Sequence, residues 1–292
     1  MSRLKYSTQR RILIFAFLII PITLLVTFSY LPLANLFYYS TTSWNGLSKV
    51  KEFIGVDNYV RLFTDPKYFE VFKVSLYYLV GSFIQLGVAL YFATVLSFKV
   101  KAKNFFKGAI FFPYLINGVA IALIFRVFFQ SGGTLDSVLE LIGLGNLSQQ
   151  WLLDTKINNI ALAGVSVWRY MGFNFIIFLG AMQSIGSEIY EAADIDGANK
   201  WQKFRYIILP SIRRIIELNL ILSISGAIAV FDIPYIMLHG SNGTGTFVIQ
   251  TVNMAFETGK LGLASSMAVV LLFIVVFVTI IQRVYFAIKK ED

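Results

Sequence analysis

No cysteine occurs among the 292 residues, and there is one histidine, His239. The first absence excludes a disulfide framework, a thiolate metal site and a cysteine nucleophile. A single imidazole cannot by itself build a metal site or a Ser-His-Asp triad, and its neighbours, HGSNGTG, read as a loop. An intramembrane rhomboid-like or metalloprotease centre would need histidines that the chain does not have. A phosphate-cradling G-x-x-x-x-G-K-[ST] loop is missing as well, since the nearest Gly-Lys pair, Gly259-Lys260, is followed by Leu261. The chain therefore cannot bind and hydrolyse ATP by that device. No paired carboxylates or nucleophile–base set mark an enzyme, and no cofactor is expected in this chain. Charge is scarce too: 14% of residues are charged and 57% are hydrophobic. A soluble domain carries roughly 25% charge and about 45–50% apolar residues.

The apolar excess is arranged in runs. They lie at about Ile12–Leu33, Val74–Phe98, Gly108–Phe129, Asn159–Met182, Ile215–Leu238 and Leu263–Ile288. Each exceeds the roughly 20 residues that carry a helix across hydrocarbon. The expectation is an all-α integral membrane protein with six transmembrane helices in a single domain, 1–292. The basic start MSRLKYSTQRR resembles the n-region of a signal peptide. Its apolar run is too long for the usual 7–15-residue h-region, so it reads as an uncleaved first helix.

Six spans put both ends on one side, and the basic residues choose the side. Arg3, Lys5, Arg10 and Arg11 precede the first span, and Lys99, Lys101, Lys103 and Lys107 fill the second connection. Lys200, Lys203, Arg205, Arg213 and Arg214 lie in the fourth, with Arg283, Lys289 and Lys290 at the C-terminal end. Sixteen of the 25 basic residues thus fall on one side, which the positive-inside rule makes cytoplasmic. The net charge of +9 is accounted for by these connections and needs no nucleic acid. The outer connections, at about Phe37 to Phe72 and Gln130 to Asn158, are long and carry Trp44 and Trp151. They suit equally a docked partner and a cap on the bundle.

One inner connection, 184–213, is polar where its flanks are not. Ser187 is expected to cap a short helix with Glu188 and Glu191 in its first turn. Glu188, Glu191 and Asp194 recur every third residue as an acidic stripe. Ala193 and Gly197 share another face, where a partner backbone can come close. Gly197 can also take the left-handed conformation that ends a helix. A second short helix follows from Asn199, and Pro210 suits the first turn of the fifth span. A helix resting on anionic lipid prefers a basic face, and this one is acidic, so it suits a protein partner in the cytoplasm.

These residues resemble a known signature. E-A-A-x-x-x-G, then nine residues, then I-x-L-P is similar to the EAA signature of permease subunits in bacterial binding-protein-dependent ABC importers. Glu191, Ala192, Ala193, Gly197, Ile207, Leu209 and Pro210 match it without a gap. VDNYVRLFTDP, WRYMGFNFIIFLGAMQSI, WQKFRYIILPSIRR, FDIPY and the run Gly262, Ala264, Ser266 resemble the carbohydrate-uptake subfamily with the maltose-type fold. The resemblance implies that 184–213 forms coupling helices seated on a partner ATPase, with Glu188 and Glu191 meeting it. Ala192 and Ala193 would allow close packing, Gly197 would supply the bend, and Ile207, Leu209 and Pro210 would anchor it to the fifth span. It further implies two ATPase copies holding ATP and magnesium, a second and usually non-identical permease, and an extracytoplasmic sugar-binding protein. The location implied is the bacterial inner membrane.

Polar residues inside spans are functional candidates because burying them unpaired in hydrocarbon costs several kcal/mol. Asn174, Asp232 and Tyr235 are expected to border the sugar path. Arg169, some ten residues into the fourth span, either joins them or forms a structural ion pair with Asp232. Pro234 is expected to break or kink the fifth span. Arg126 and Glu217, near span ends, can snorkel. Rival readings are a permease for a polyamine, phosphate ester or amino acid, and an ion-coupled carrier or channel. The carrier is disfavoured because intramembrane carboxylates are few and off-centre. A membrane scaffold without transport is the third alternative.

Overall fold

The computed structural model of the chain describes residues 6–98 and 100–288. Arg3, Lys5, Lys99, Lys289 and Lys290, used above for orientation, lie outside the described residues. In chain order the helices are α1 (Tyr6–Ser40), α2 (Asp57–Thr64), α3 (Phe72–Ser97), α4 (Lys103–Leu115), α5 (Gly118–Phe128) and α6 (Thr134–Leu141). Then come α7 (Asn158–Gln183), α8 (Ser187–Ile195), α9 (200–211), α10 (Arg213–Ile228), α11 (Asp232–Leu238), α12 (Phe247–Phe256) and α13 (Leu261–Ile288). Five helical stretches are long and apolar enough to cross a membrane, or six if the bent pair α4–α5 counts as one.

That pair is where the structure departs most from expectation. The run Gly108–Phe129 is two helices meeting at 93° rather than one continuous helix. The reason is local. Ile116 and Asn117 are extended, and the Asn117 side chain accepts a hydrogen bond from the Val119 N–H at 2.8 Å, capping α5. The fifth run also breaks, at 229–231, but not because of Pro234. The proline is the third residue of α11, where no intrahelical N–H bond is lost. The Val230 carbonyl freed by the break accepts from the Thr246 hydroxyl at 2.7 Å. α12 was not expected; ten residues are too few to span, and the loop reading absorbed them.

The chain forms two compact units. In the first, 1–66 and 251–272, α1 has a wider turn at Val26–Tyr30, and Tyr6–Leu25 has no buried side chain. The connection after it is tied down. Asn58 donates to the carbonyls of Ser40 and Thr42 at 2.9 and 2.8 Å, and the Gly262 N–H bonds to the Trp44 carbonyl at 2.8 Å. A Cβ on Gly262 would run into the Thr42 carbonyl, so the backbone approach there requires glycine.

The second unit, 67–250 and 273–292, is built on α3 against α7. On α3 the buried face recurs every fourth residue as Gly81, Gln85, Ala89 and Ala93, and its three small members are of the kind that lets two membrane helices come close. Phe175, Phe178 and Met182 of α7 fill one core with Ile208 and Ile212. Tyr78, Leu162, Val165, Ile121 and Met237 form the other. Gly172 marks the tightest crossing, since a Cβ there would lie 2.5 Å from the Ile110 carbonyl oxygen and 3.0 Å from the Phe111 Cα. Both obstacles are backbone and cannot turn aside. Gly172→Ala should therefore cost about 1–3 kcal/mol, read as a lower unfolding temperature in detergent. Gly164→Ala, at a position with open space, should not.

Candidate functional site

The signature segment folds as a pair of short helices separated by a stop at Gly197. α8 starts one residue earlier than expected: Gly186 is the cap and Ser187 is already helical, with no capping hydrogen bond from a side chain. At its other end Gly197 has φ +74°. The Ala198 N–H reaches the Ala193 carbonyl at 2.9 Å and the Gly197 N–H the Asp194 carbonyl at 3.1 Å. This is the left-handed helix stop that glycine supports. Asn199 then restarts the helix with a reciprocal cap: its side chain accepts from the Gln202 N–H at 2.9 Å, and its own N–H donates to the Gln202 side chain at 2.7 Å. α9 runs through a wider turn at Phe204–Ile208, and Ile208 and Ile212 are fully buried in the core. Pro210 lies in the last turn of α9, not in the first turn of α10, which begins at Arg213. The wider turn just before it accommodates the missing N–H.

Two expectations about surfaces need correction. Ala193 is 8% exposed, covered by its own chain, whereas Ala192 and Gly197 face outward. The acidic stripe is also interrupted, because Asp194 is hydrogen-bonded to Lys203, whose side chain is 9% exposed. That pair clamps the two short helices across the glycine. Glu188 and Glu191 stay exposed, and Ile207 and Leu209 are half-buried. Two residues that sequence reasoning passed over complete the outward face: Ile195, 87% exposed, and Trp201, 67%. Below them, burial pushes the Tyr190 phenol above its usual pKa.

The second feature is a cavity of about 470 Å³ among α3, α4, α7, α10 and α11. Asn174 and Asp232 are on its wall; Arg169 and Tyr235 are not. Asn174 is buried, donating to the Tyr170 carbonyl at 3.3 Å. Tyr235 stacks on Phe231, which does line the space, with ring centres 4.7 Å apart. Arg169 is drawn back from it. Its guanidinium lies over the Tyr170 ring at 5.0 Å and against Gly118, where a Cβ would meet Nη1 at 2.5 Å. Nη1 is 3.9 Å from an Asp232 carboxylate oxygen, so the two form a loose ion pair. Glu217 accepts from Arg213 at 2.9 Å, a helix-surface pair one turn apart.

The remaining wall was missed from sequence. Tyr78, Ser82 and Gln85 come from α3, Tyr114 from α4, Ser166 from α7 and Ser223 from α10. The Tyr78 hydroxyl is buried without a partner. Tyr114 and Phe173 pack 4.9 Å apart and give the space an aromatic side. Away from both sites, in the first turn of α6, Asp136 accepts from the Trp151 indole at 2.8 Å and the Gly132 N–H at 2.8 Å. The Trp151 bond first, then the Gly132 one, holds its carboxyl below the usual range.

A helical bundle of membrane-crossing length, with a polar cavity among its helices and a bent polar arm on one connection, defines a multi-pass membrane permease. The chain belongs to the family described as the binding-protein-dependent transport system inner membrane component, matched over residues 85–287. It is 32% identical over 290 residues to a probable ABC transporter permease protein, YurN, of Bacillus subtilis (strain 168), covering 97% of this chain and 99% of that one. It is 33% identical over 272 residues to the multiple sugar-binding transport system permease protein MsmF of Streptococcus mutans serotype c, covering 91% and 92%. Its fold matches a chain of a bacterial alginate ABC transporter, solved with an alginate pentasaccharide-bound periplasmic protein, at a TM-score of 0.83 and 20% identity, with 96% of each chain covered.

Proposed function

We propose that this chain, as one permease domain over 1–292, is the membrane-spanning subunit of an ATP-driven importer for a sugar, specifically an oligosaccharide. An extracytoplasmic binding protein delivers the sugar, and two cytoplasmic ATPase subunits, which hold the ATP and magnesium, drive alternating access. A second, non-identical permease completes the pathway in the bacterial inner membrane. Six spans, with α4–α5 as the third, leave both termini and the segment 184–213 in the cytoplasm, in keeping with the distribution of Lys and Arg.

The observation that carries this reading is the exposed face of the bent arm. Ala192, Ile195 and Trp201 present small and apolar surface to water beside Glu188 and Glu191, while Ile208 and Ile212 root the arm in the core. Exposed apolar groups of this kind on a polar connection mark a protein-binding surface, and its rooting lets a push there reach the spans. The sugar assignment is supported by the printed description of the Streptococcus relative and by the cavity, where hydroxyls, amides and aromatic rings are mixed. Such walls hold neutral polyhydroxyl ligands by hydrogen bonds and ring faces.

The absence of native cysteine makes the test direct. Ile195→Cys should cross-link to a cysteine in the groove of the co-expressed ATPase and should lose that cross-link, or change its yield, on ATP binding. Cross-links only to lipid-borne reagents or to extracytoplasmic probes would overturn the proposal. ATP-dependent uptake of sugar in proteoliposomes with the binding protein is the accompanying functional readout.

A further inference from the structure

Among the described residues on the cavity wall, Asp232 is the one that carries a charge. Its side chain is 56% exposed, so the carboxylate faces the space rather than the packing. The nearest cation, Arg169, is 13% exposed and sits behind the wall, bonded to the Tyr170 hydroxyl at 3.3 Å and laid over that ring. At 3.9 Å its Nη1 is beyond hydrogen-bond reach of Asp232, which has no short partner of its own. The ion pair is therefore an oriented one, with its negative end toward the solute and its positive end toward the protein.

The other polar groups on the wall are neutral. Ser82, Gln85, Asn174 and Ser223 offer hydroxyls and amides, with no lysine or arginine placed to receive a ligand carboxylate or phosphate. We propose that Asp232 makes this cavity a charge filter that admits uncharged saccharides and turns away anionic ones such as uronates and sugar phosphates. The proposal rests on the cavity being the sugar path. It narrows the substrate class and also disfavours the phosphate esters considered from sequence. With the Arg169 charge about 4 Å behind it, a carboxylate about 8 Å from a solute, at a dielectric between those of protein and water, changes the local concentration of a singly charged solute by about twofold, up for a cation and down for an anion.

The test uses the complete transporter in proteoliposomes. Ser223→Cys places one thiol on the wall of an otherwise cysteine-free chain; the partner subunits are used in cysteine-free form. Its rates of reaction with a cationic trimethylammonium-ethyl and an anionic sulfonato-ethyl methanethiosulfonate are compared, each relative to a free small thiol in solution. The normalised cation-to-anion ratio should be about fourfold above unity and should fall to unity or below in Ser223→Cys/Asp232→Asn, which leaves the Arg169 charge uncompensated. A ratio that is the same with and without Asp232→Asn overturns the filter and leaves the cavity as a path. If neither reagent reacts at Ser223→Cys or at Ser82→Cys, the space is not open to hydrated solutes, and both the filter and the sugar path fall.

Discussion

Gly197→Val is expected to abolish ATP-driven uptake while the subunit still inserts in the membrane and assembles. Gly197 sits at φ +74°, a conformation in which a β-branched side chain meets its own backbone. The penalty is about 2 kcal/mol, which is roughly a 30-fold fall in the fraction of arms holding the correct bend. No neighbouring atom lies within 4 Å of a Cβ at this position, so crowding adds nothing and the effect is purely conformational. Gly197→Asn is the discriminating control, because asparagine tolerates the left-handed region. It should keep most of the uptake. Uptake measured against ATP consumed is the readout: continued hydrolysis without transport in Gly197→Val identifies a broken linkage, and equal loss in both variants would show that the bend is not what matters.

The second large effect is an asymmetry within one ion pair. Asp194 and Lys203 are partners, but the lysine side chain is 9% exposed and the aspartate 69%. Asp194→Ala strands a buried ammonium without a partner, at a cost of about 2–3 kcal/mol. Lys203→Met keeps the apolar stem and leaves a carboxylate in water, at about 1 kcal/mol or less. The double substitution, Asp194→Ala with Lys203→Met, removes the stranded charge and should be more stable than Asp194→Ala alone. Unfolding temperature in detergent ranks the three, and protease nicking of the connection 184–213 reports the same order locally. Equal losses from either single change would mean that the pair does not hold the arm.

The sequence carried its information unevenly. Where one long-range rule governs, as in the apolar runs that became α1, α3, α7 and α13, hydropathy was enough, because hydrocarbon demands about 20 helical residues whatever their neighbours do. The bend at Gly197 was legible for a different reason, since a left-handed stop is a property of a single residue. The 93° turn between α4 and α5 was not read, although Asn117-Gly118 is a turn dipeptide. An apolar run of adequate length outweighed it. The same bias hid Tyr78, Ser82 and Gln85, which sit in an apolar run but point inward at spacings of four and three beside Gly81 and Ala89. Residues whose role is set by packing between distant segments were misjudged most. Ala193 was assigned an open face and is covered, and Asp194 was counted as free although a lysine nine positions on holds it.

One last consequence concerns α1. From Tyr6 to Leu25 none of its side chains is buried, and the family match begins only at residue 85. Replacing one aliphatic residue by another there opens no void and strains no rotamer within the polypeptide. Drift along this stretch is therefore free of the usual penalty for core mutation. Whatever order its sequence does show is set by the surroundings of the polypeptide and not by its own core.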